Sequence, residues 1–307
     1  MPGPQLALAL WLLGAATDST AIATPFEIQQ VAAGVFVHFG RPLDLTAPGH
    51  DDIANIGFIV GSRCVAVIDT GGSVRIGRAL LASIRQRTQT PICYVINTHV
   101  HVDHVLGNAA FTASHASFIG HAALPEAIAR SRPYFLQHYP GDLDSPASAA
   151  QIIAPDQRVQ DSLELDLGGR RLQLRAWPVA HTNCDLTVLD ESTQTLWTGD
   201  LLFRQRLPAV DGDVGGWLRV IDEMARIRVK RAIPGHGPLT TDLESALVPE
   251  RRYLRALLDG VRSAIDLGQS LPEAIDGVAA SEKPHWLLWD STHPRNVTRV
   301  YQQLEWQ

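Results

Sequence analysis

Four candidate metal ligands within six residues constrain this chain more than any other feature of it. They lie in the run Asn97-Thr98-His99-Val100-His101-Val102-Asp103-His104. The run continues an apolar stretch, Ile92 to Asn97, that reads as a strand, and it precedes a helix predicted to start near Val105. A buried strand has no packing use for so many polar side chains, because each would need a partner. On a loop between strand and helix they can converge on one point. A helix N-terminus behind them disfavours cations, so the Asp103 carboxylate and other acids must supply balancing charge. The chain carries 12 histidines against 3 cysteines, and imidazole is the commonest metal ligand.

Three further groups stand in similar settings. His181 follows Trp177-Pro178-Val179-Ala180, Asp200 follows Leu196-Trp197-Thr198-Gly199, and His236 sits in Pro234-Gly235-His236-Gly237-Pro238 after Ala232-Ile233. Each reads as a polar group just past the end of an apolar strand, where a sheet holds functional side chains rigidly. Together with His99, His101, Asp103 and His104 they make seven nitrogen and oxygen donors. Two zinc ions of four or five coordination need about that many, with one position left open for water. A carboxylate can bridge two ions about 3.5–4 Å apart. No thiolate belongs to the set, which argues against a structural cysteine-type zinc site.

The remaining pattern is strands in hairpins, a βαβ unit, more hairpins, then helices. Gly34 to Phe39, Ile56 to Val60 and Cys64 to Ile68 are short apolar runs rich in β-branched residues, the last two joined by a tight turn at Gly61-Ser62. Ile76, Leu80 and Ile84 share one helical face, and residues 122 to 138 read as helix. Leu163, Leu165 and Leu167 alternate into a hairpin with Leu172, Leu174 and Ala176, and from Asp242 onward the pattern is helical. Two mixed sheets between outer helices suit this order. The net charge is −6 and no basic run occurs, so a phosphate-tracking nucleic-acid binder is not expected. No apolar stretch reaches the ~20 residues of a membrane span. Leu6 to Gly14 is a short apolar run followed by Ala21-Ile22-Ala23, which reads as a secretory signal peptide cleaved after Ala23, although no Lys or Arg precedes it. Cys64, Cys93 and Cys184 form neither a disulfide framework nor a metal clip. Cys64 and Cys93 read as buried thiols in strands, with one disulfide open to the chain in an oxidising compartment.

The succession H-x-H-x-D-H, a lone histidine, T-G-D and P-G-H-G resembles the metallo-β-lactamase superfamily over about Val31 to Pro238. The resemblance implies an α/β (α+β) chain in a four-layer αββα sandwich with a dinuclear metal site on its edge. Residues 24–240 would form that catalytic domain, after a signal peptide at 1–23, with a helical extension at 241–307 packed on it. It implies that His99, His101 and His181 hold a first zinc and that Asp103, His104 and His236 hold a second. Asp200 would bridge the two, and Asp69 would support the ligands from behind. His101 stands where the diiron flavoprotein branch has Glu, so zinc is implied rather than a redox iron pair. Asp200 stands where class B β-lactamases carry Cys or Ser, which points to the glyoxalase II, lactonase and general hydrolase branches.

Asp52 to Gly61, Val67 to Gly72, Tyr94 to Asn108 and Thr198 to Phe203 resemble exported zinc metallohydrolases named for a quinoprotein relay system. Val102, where that group often has Pro, and Cys184 depart from the pattern without changing a ligand. The implied activity is hydrolysis of a small ester, thioester, lactone or amide by a hydroxide shared between two zinc ions, with Asp103 both ligand and orienting group. The implied setting is periplasmic or secreted, in association with quinoprotein dehydrogenase systems. A β-lactamase, or a non-catalytic carrier of metal or quinone cofactor on the same fold, is the alternative. Arg204 and Arg206 are candidates for holding an anionic substrate. The loop Gly40 to Asp52 is a candidate cover for the metals, with His50, Asp51 and Asp52 read as surface residues. His121, Trp217, Trp286 and Trp289 read as packing.

Overall fold

Alternating apolar residues build two sheets whose inner faces meet. The computed structural model describes residues 26–144 and 149–305, so the expected signal peptide lies outside the described residues. The first sheet runs β1 (Gln29–Ala32), β2 (Val35–His38), β3 (Ile56–Val60), β4 (Val65–Ile68), β5 (Ile92–Ile96), β6 (Ser117–His121) and β7 (Gln157–Val159), hydrogen-bonded in that order. Its pairs are antiparallel up to β4 and parallel from β4 onward. The second sheet contains β8 (Ser162–Asp166), β9 (Arg171–Ala176), β10 (Leu186–Asp190), β11 (Thr195–Phe203) and β12 (Arg231–His236), in the order β12-β11-β10-β9-β8. The pair β11–β12 is parallel and the other pairs are antiparallel.

The period of two along a strand separates the layers. In β4, Ala66 and Ile68 join Leu172, Leu174, Val188 and Trp197 in the core between the sheets. Val65 and Val67 face the other way, onto Ile76, Leu80 and Ile84 of helix α1 (Val74–Arg87). The outer face of the second sheet packs on α4 (Val214–Met224), α5 (Leu243–Asp266) and α7 (Trp289–Glu305), through Trp217, Leu254, Leu257 and Val297 among others. This is the expected four-layer arrangement. Leu247, Leu254, Leu257 and Val261 of α5 are fully buried, worth roughly 6–12 kcal/mol at about 1.5–3 each. That exceeds the ~3 kcal/mol cost of Pro249 inside the same helix. A short helix, α6 (Leu271–Gly277), joins α5 to α7. Trp286 and Trp289 are buried beside Tyr253, in keeping with a packing role.

Three local features depart from expectation. The helix after the histidine run begins at Val102 rather than near Val105: α2 (Val102–Val105) is one turn, followed by a 3-10 stretch over Leu106–Ser114. The helix expected over residues 122 to 138 is present as α3 (Leu124–His138), which runs through Pro133. Strand β11 does not stop before Asp200 but continues to Phe203, with register shifts on either side of Gly199. Gly199 has φ +52°, and an added Cβ there would lie 2.7 Å from Thr98, so only glycine lets the strand bulge at this point. His236 is likewise the last residue of β12 rather than beyond it. Finally, Cys64 and Cys93 are bonded to each other at the beginnings of the neighbouring parallel strands β4 and β5, while Cys184 is free and buried.

Candidate metal centre

The centre lies at one edge of the sandwich, where β5, β11 and β12 end or bulge. Beyond β5 the chain is pinned before it turns. Asp69, at the end of β4, accepts hydrogen bonds from Thr98 N (2.8 Å) and Thr98 Oγ1 (2.7 Å). Asn97 and Asn108 exchange side-chain hydrogen bonds at 3.1 and 2.8 Å. His101 then sits at the N-cap of α2, which places Asp103 and His104 on its single turn. His181 follows β9 and is held by Gly212 N donating to its carbonyl at 2.6 Å.

All seven candidate ligands converge. His99 Nε2 and His181 Nε2 lie 3.1 and 2.9 Å from His101 Nδ1, and Asp200 Oδ2 lies 3.6 and 3.4 Å from the same two Nε2 atoms. On the other side of Asp200, His104 Nε2 is 3.2 Å from Oδ1 and His236 Nε2 is 3.3 Å from Oδ2. Asp103 Oδ2 is 3.6 and 3.3 Å from those two imidazoles. The ligand atoms of His99, His101, His181 and Asp200 all fall within 4.8 Å of one another, as do those of Asp103, His104 and His236.

The outward nitrogens fix where the lone pairs point. His181 Nδ1 donates to Ala209 O and His236 Nδ1 to Ile53 O, both at 2.8 Å. A carbonyl only accepts, so the ring proton is on Nδ1 and Nε2 faces the centre bare. His104 Nδ1 donates to Asp69 Oδ2 at 2.8 Å, and His101 Nε2 faces Asp211 Oδ2 at 3.3 Å. Thr98 Oγ1 gives its own proton to Asp69, so it accepts from His99 Nδ1 at 3.0 Å. Five imidazoles thus turn a ring nitrogen inward, each braced by a partner behind it, as metal-ligating histidines are.

These residues fit divalent ions. His104 Nε2 and Asp200 Oδ1 are buried without a hydrogen-bond partner although they face each other. Burial opposes charge on Asp200 and Asp103, but neighbouring imidazoles, chiefly His236 and His104, hold both carboxyls below the usual range. Burial lowers His99 and takes His181 down to about 3, so both are neutral at pH 7. Burial also opposes a charge on His104, but Asp200, Asp69 and Asp103 overrule it and raise His104 well above its ordinary value. A cation among these acids would take the place of that proton. Burial and Asp185 push the Cys184 thiol up to about 12, which leaves it inert.

The centre opens into a cleft of about 350 Å³ bounded by His101, Asp103, Asp200 and His236, with Leu45, Tyr134 and Phe135 on its apolar wall. Arg206 lines this cleft and also a second one of about 420 Å³ beyond His236. Its side chain is buried, its Nε has no partner, and among the described residues no acid pairs with it. Its Nη1 lies 3.2 Å from His236 Nδ1, which already carries a proton. Arg204 instead turns to the Pro238 and Leu239 carbonyls. Asp51 is not a surface residue: it is buried and accepts from Ser73 Oγ and Arg75 Nη2, both at 2.7 Å. Sequence reasoning missed Asp211, which belongs to no motif, and the Ala209 and Ile53 carbonyls, which act through the backbone and so leave no side-chain signal.

The sequence matches the family described as the metallo-beta-lactamase superfamily over residues 50–236. Comparison with curated proteins by sequence finds no match. Among solved structures, the chain is similar to the stereoselective inverting sec-alkylsulfatase Pisa1 from Pseudomonas sp., at 18% identity and a TM-score of 0.66, over 90% of this chain and 50% of that one. The chain therefore spans half the length of that enzyme. It is also similar to a metallo-beta-lactamase from Pontibacter korlensis, at 18% identity and a TM-score of 0.61, over 75% of this chain and 98% of that one. Both likenesses are of fold. The two facing sheets with helices outside them and the family match over most of the chain lead to one statement: this chain belongs to the metallo-β-lactamase superfamily.

Proposed function

We propose that the chain is an exported dinuclear zinc hydrolase acting on a small ester, thioester, lactone or amide. The observation that carries the reading is the inward convergence of five imidazole nitrogens with Asp103 and Asp200, each imidazole braced from behind. His99, His101 and His181 would hold one ion, Asp103, His104 and His236 the other, and Asp200 would reach both. Zinc bound there would lower the pKa of water from 15.7 to about 7 and polarise the bond to be cleaved. Asp103 is an acid that both faces the second ligand set and lines the cleft, so it orients the attacking water by accepting its hydrogen bond. The apolar wall around Tyr134 and Phe135 excludes bulk water from one side. Export is supported by the Cys64–Cys93 disulfide, which suits an oxidising compartment. Association with periplasmic quinoprotein dehydrogenases rests on the sequence resemblance alone.

A second reading, hydrolysis of a sulfate ester, is favoured by the buried, acid-free Arg206 guanidinium beside His236 and by the likeness to an alkylsulfatase. One panel decides: an activated ester, a thioester, a lactone, nitrocefin and a secondary alkyl sulfate, assayed before and after chelation. Turnover of a carbonyl substrate that chelation abolishes and Zn2+ restores is the expected result. Full turnover by metal-free protein would overturn the metal mechanism. Turnover confined to the secondary alkyl sulfate would replace the carbonyl reading with the second one. Arg206→Met is expected to raise KM for anionic substrates more than for neutral ones, and equal effects on both would remove Arg206 from recognition.

A further inference from the structure

The segment from Gln205 to Gly212 is tied to the C-terminal helices on one side and to two of the imidazoles on the other. Towards the centre, Ala209 O accepts from His181 Nδ1 at 2.8 Å and Asp211 Oδ2 faces His101 Nε2 at 3.3 Å. Away from it, Asn296 of α7 is buried and fully bonded. Its Nδ2 donates to Pro208 O at 2.7 Å and to Tyr253 Oη of α5 at 2.8 Å, and its Oδ1 accepts from Val210 N at 2.9 Å. Arg299 Nη2 donates to Asp211 O at 2.6 Å, and Gln303 Nε2 to Gly212 O at 2.6 Å. Leu207 N donates to Leu287 O at 3.0 Å, so the chain just before α7 joins the same seam.

The two ligand sets differ in this respect. His104 and His236 are braced by Asp69 and by Ile53 O, outside the Gln205–Gly212 segment; Arg206 of that segment lies 3.2 Å from His236 Nδ1, but the bonds from α7 fall further along, on Pro208, Val210, Asp211 and Gly212. His101 is the most exposed of the ligands, with 28% of its side chain open, and its brace Asp211 is 56% open. The His101 ring packs edge-on against His99 and His181 but is the ligand least enclosed, so its orientation depends most on Asp211, whose carbonyl Arg299 holds from α7. All of α7 lies beyond the residues 50–236 that match the family.

We propose that α7, through Asn296, Arg299 and Gln303, is a positioning element for the metal site of His99, His101 and His181, and not for the site of Asp103, His104 and His236. The proposal rests on the metal-centre reading above. A brace behind a metal-bound histidine is typically worth 10–100-fold in metal affinity, and loosening the segment weakens two such braces at once.

The experiment is a Zn2+ titration of metal-free, full-length protein against a chromophoric chelator, resolved into two binding constants. His101→Ala and His236→Ala assign each constant to its site. Arg299 is exposed and Gln303 half-buried, whereas Asn296 is fully enclosed, so the double variant Arg299→Ala/Gln303→Ala is expected to fold even if Asn296→Ala does not. The expected result is a loss of roughly tenfold or more at the His101 site, no change at the His236 site, and an unaltered melting temperature of the metal-free protein. Arg299→Lys, paired with native Gln303, restores most of the loss. Two unchanged constants, or two that fall by the same factor, would overturn the proposal while leaving the metal centre standing. A wild-type protein that takes up no Zn2+ would bring down both.

Discussion

Asp200 can face both ligand sets only because residue 235 has no side chain. A Cβ added at Gly235 would lie 1.8 Å from Asp200 Oδ1 and 2.9 Å from Asp200 N. The backbone on both sides is committed, since Asn55 N donates to Gly235 O and Asn55 Nδ2 to Pro234 O, each at 2.8 Å. The carboxylate must therefore give way. Gly235→Ala is expected to fold but to bind at most one equivalent of Zn2+, read by metal analysis after gel filtration; two tightly held equivalents would show that Asp200 does not span the sites. Asp69→Ala is expected to weaken the His236-side ion by 10–100-fold, because it removes the acceptor for His104 Nδ1 and for Thr98 at once. An unaltered constant would mean that Asp69 serves the turn alone. At this scale the candidate ligands were legible, since imidazoles and carboxylates beside glycine at strand ends have few other uses. Gly235 was visible as a letter but not as a requirement, because its neighbour in space is 35 positions away in sequence. Arg206 was legible as a cation near the site, but its burial without an acid partner was not.

Strands β4 and β5 carry the disulfide at their beginnings and, at their ends, Asp69 and the turn that bears four candidate ligands. The bridge closes a loop with a sequence separation of 29, for which chain entropy alone gives about 3–4 kcal/mol. Reduction is therefore expected to lower the denaturation midpoint clearly while leaving Zn2+ stoichiometry unchanged, because the bond is at the far end of both strands from the centre. Loss of metal on mild reduction, before unfolding, would show that the bridge holds the site directly. Periodicity had located β3, β4, β5, α1 and the β8–β9 hairpin. It did not locate α2, since one turn contains too few residues to show a period. It ended β11 too soon, since a glycine that permits a bulge reads in sequence like one that ends a strand. The pairing of Cys64 with Cys93 followed from β4 lying parallel beside β5, which is a long-range fact that neither local run contains.

The centre is a joint between the two halves of the sandwich. His99, His101, Asp103 and His104 follow the first sheet's β5, whereas His181, Asp200 and His236 belong to the second sheet and its loops. Metal bound across that joint stabilises the whole fold by mass action, by about 4 kcal/mol per site at a thousandfold excess over its Kd. Chelation is thus expected to lower the melting temperature in one cooperative step, and an unchanged melting curve would mean that the ligands do not tie the sheets together. The C-terminal helices pack on the joint from outside, which no motif announced, because the pattern from Asp242 onward shows only helix and nothing in it marks Asn296, Arg299 or Gln303. The same helices carry a pH sensitivity. His293 of α7 stacks on Trp289 at 3.9 Å and lies 3.1 Å from Tyr253 Oη, and burial takes it down to about 4. An unfolded histidine protonates near 6.5, so between that pH and about 4 the unfolded chain holds a proton that the folded one refuses. Stability must then fall as pH drops through this window, by up to about 1.4 kcal/mol per pH unit from this group, and the contribution is complete below it. His293→Phe keeps a ring against Trp289 but cannot titrate, so its stability, whatever its absolute value, is expected to fall less steeply than that of the wild type from pH 6.5 to 4. Parallel slopes in urea titrations across that range would show that His293 is protonated inside the fold as readily as outside it.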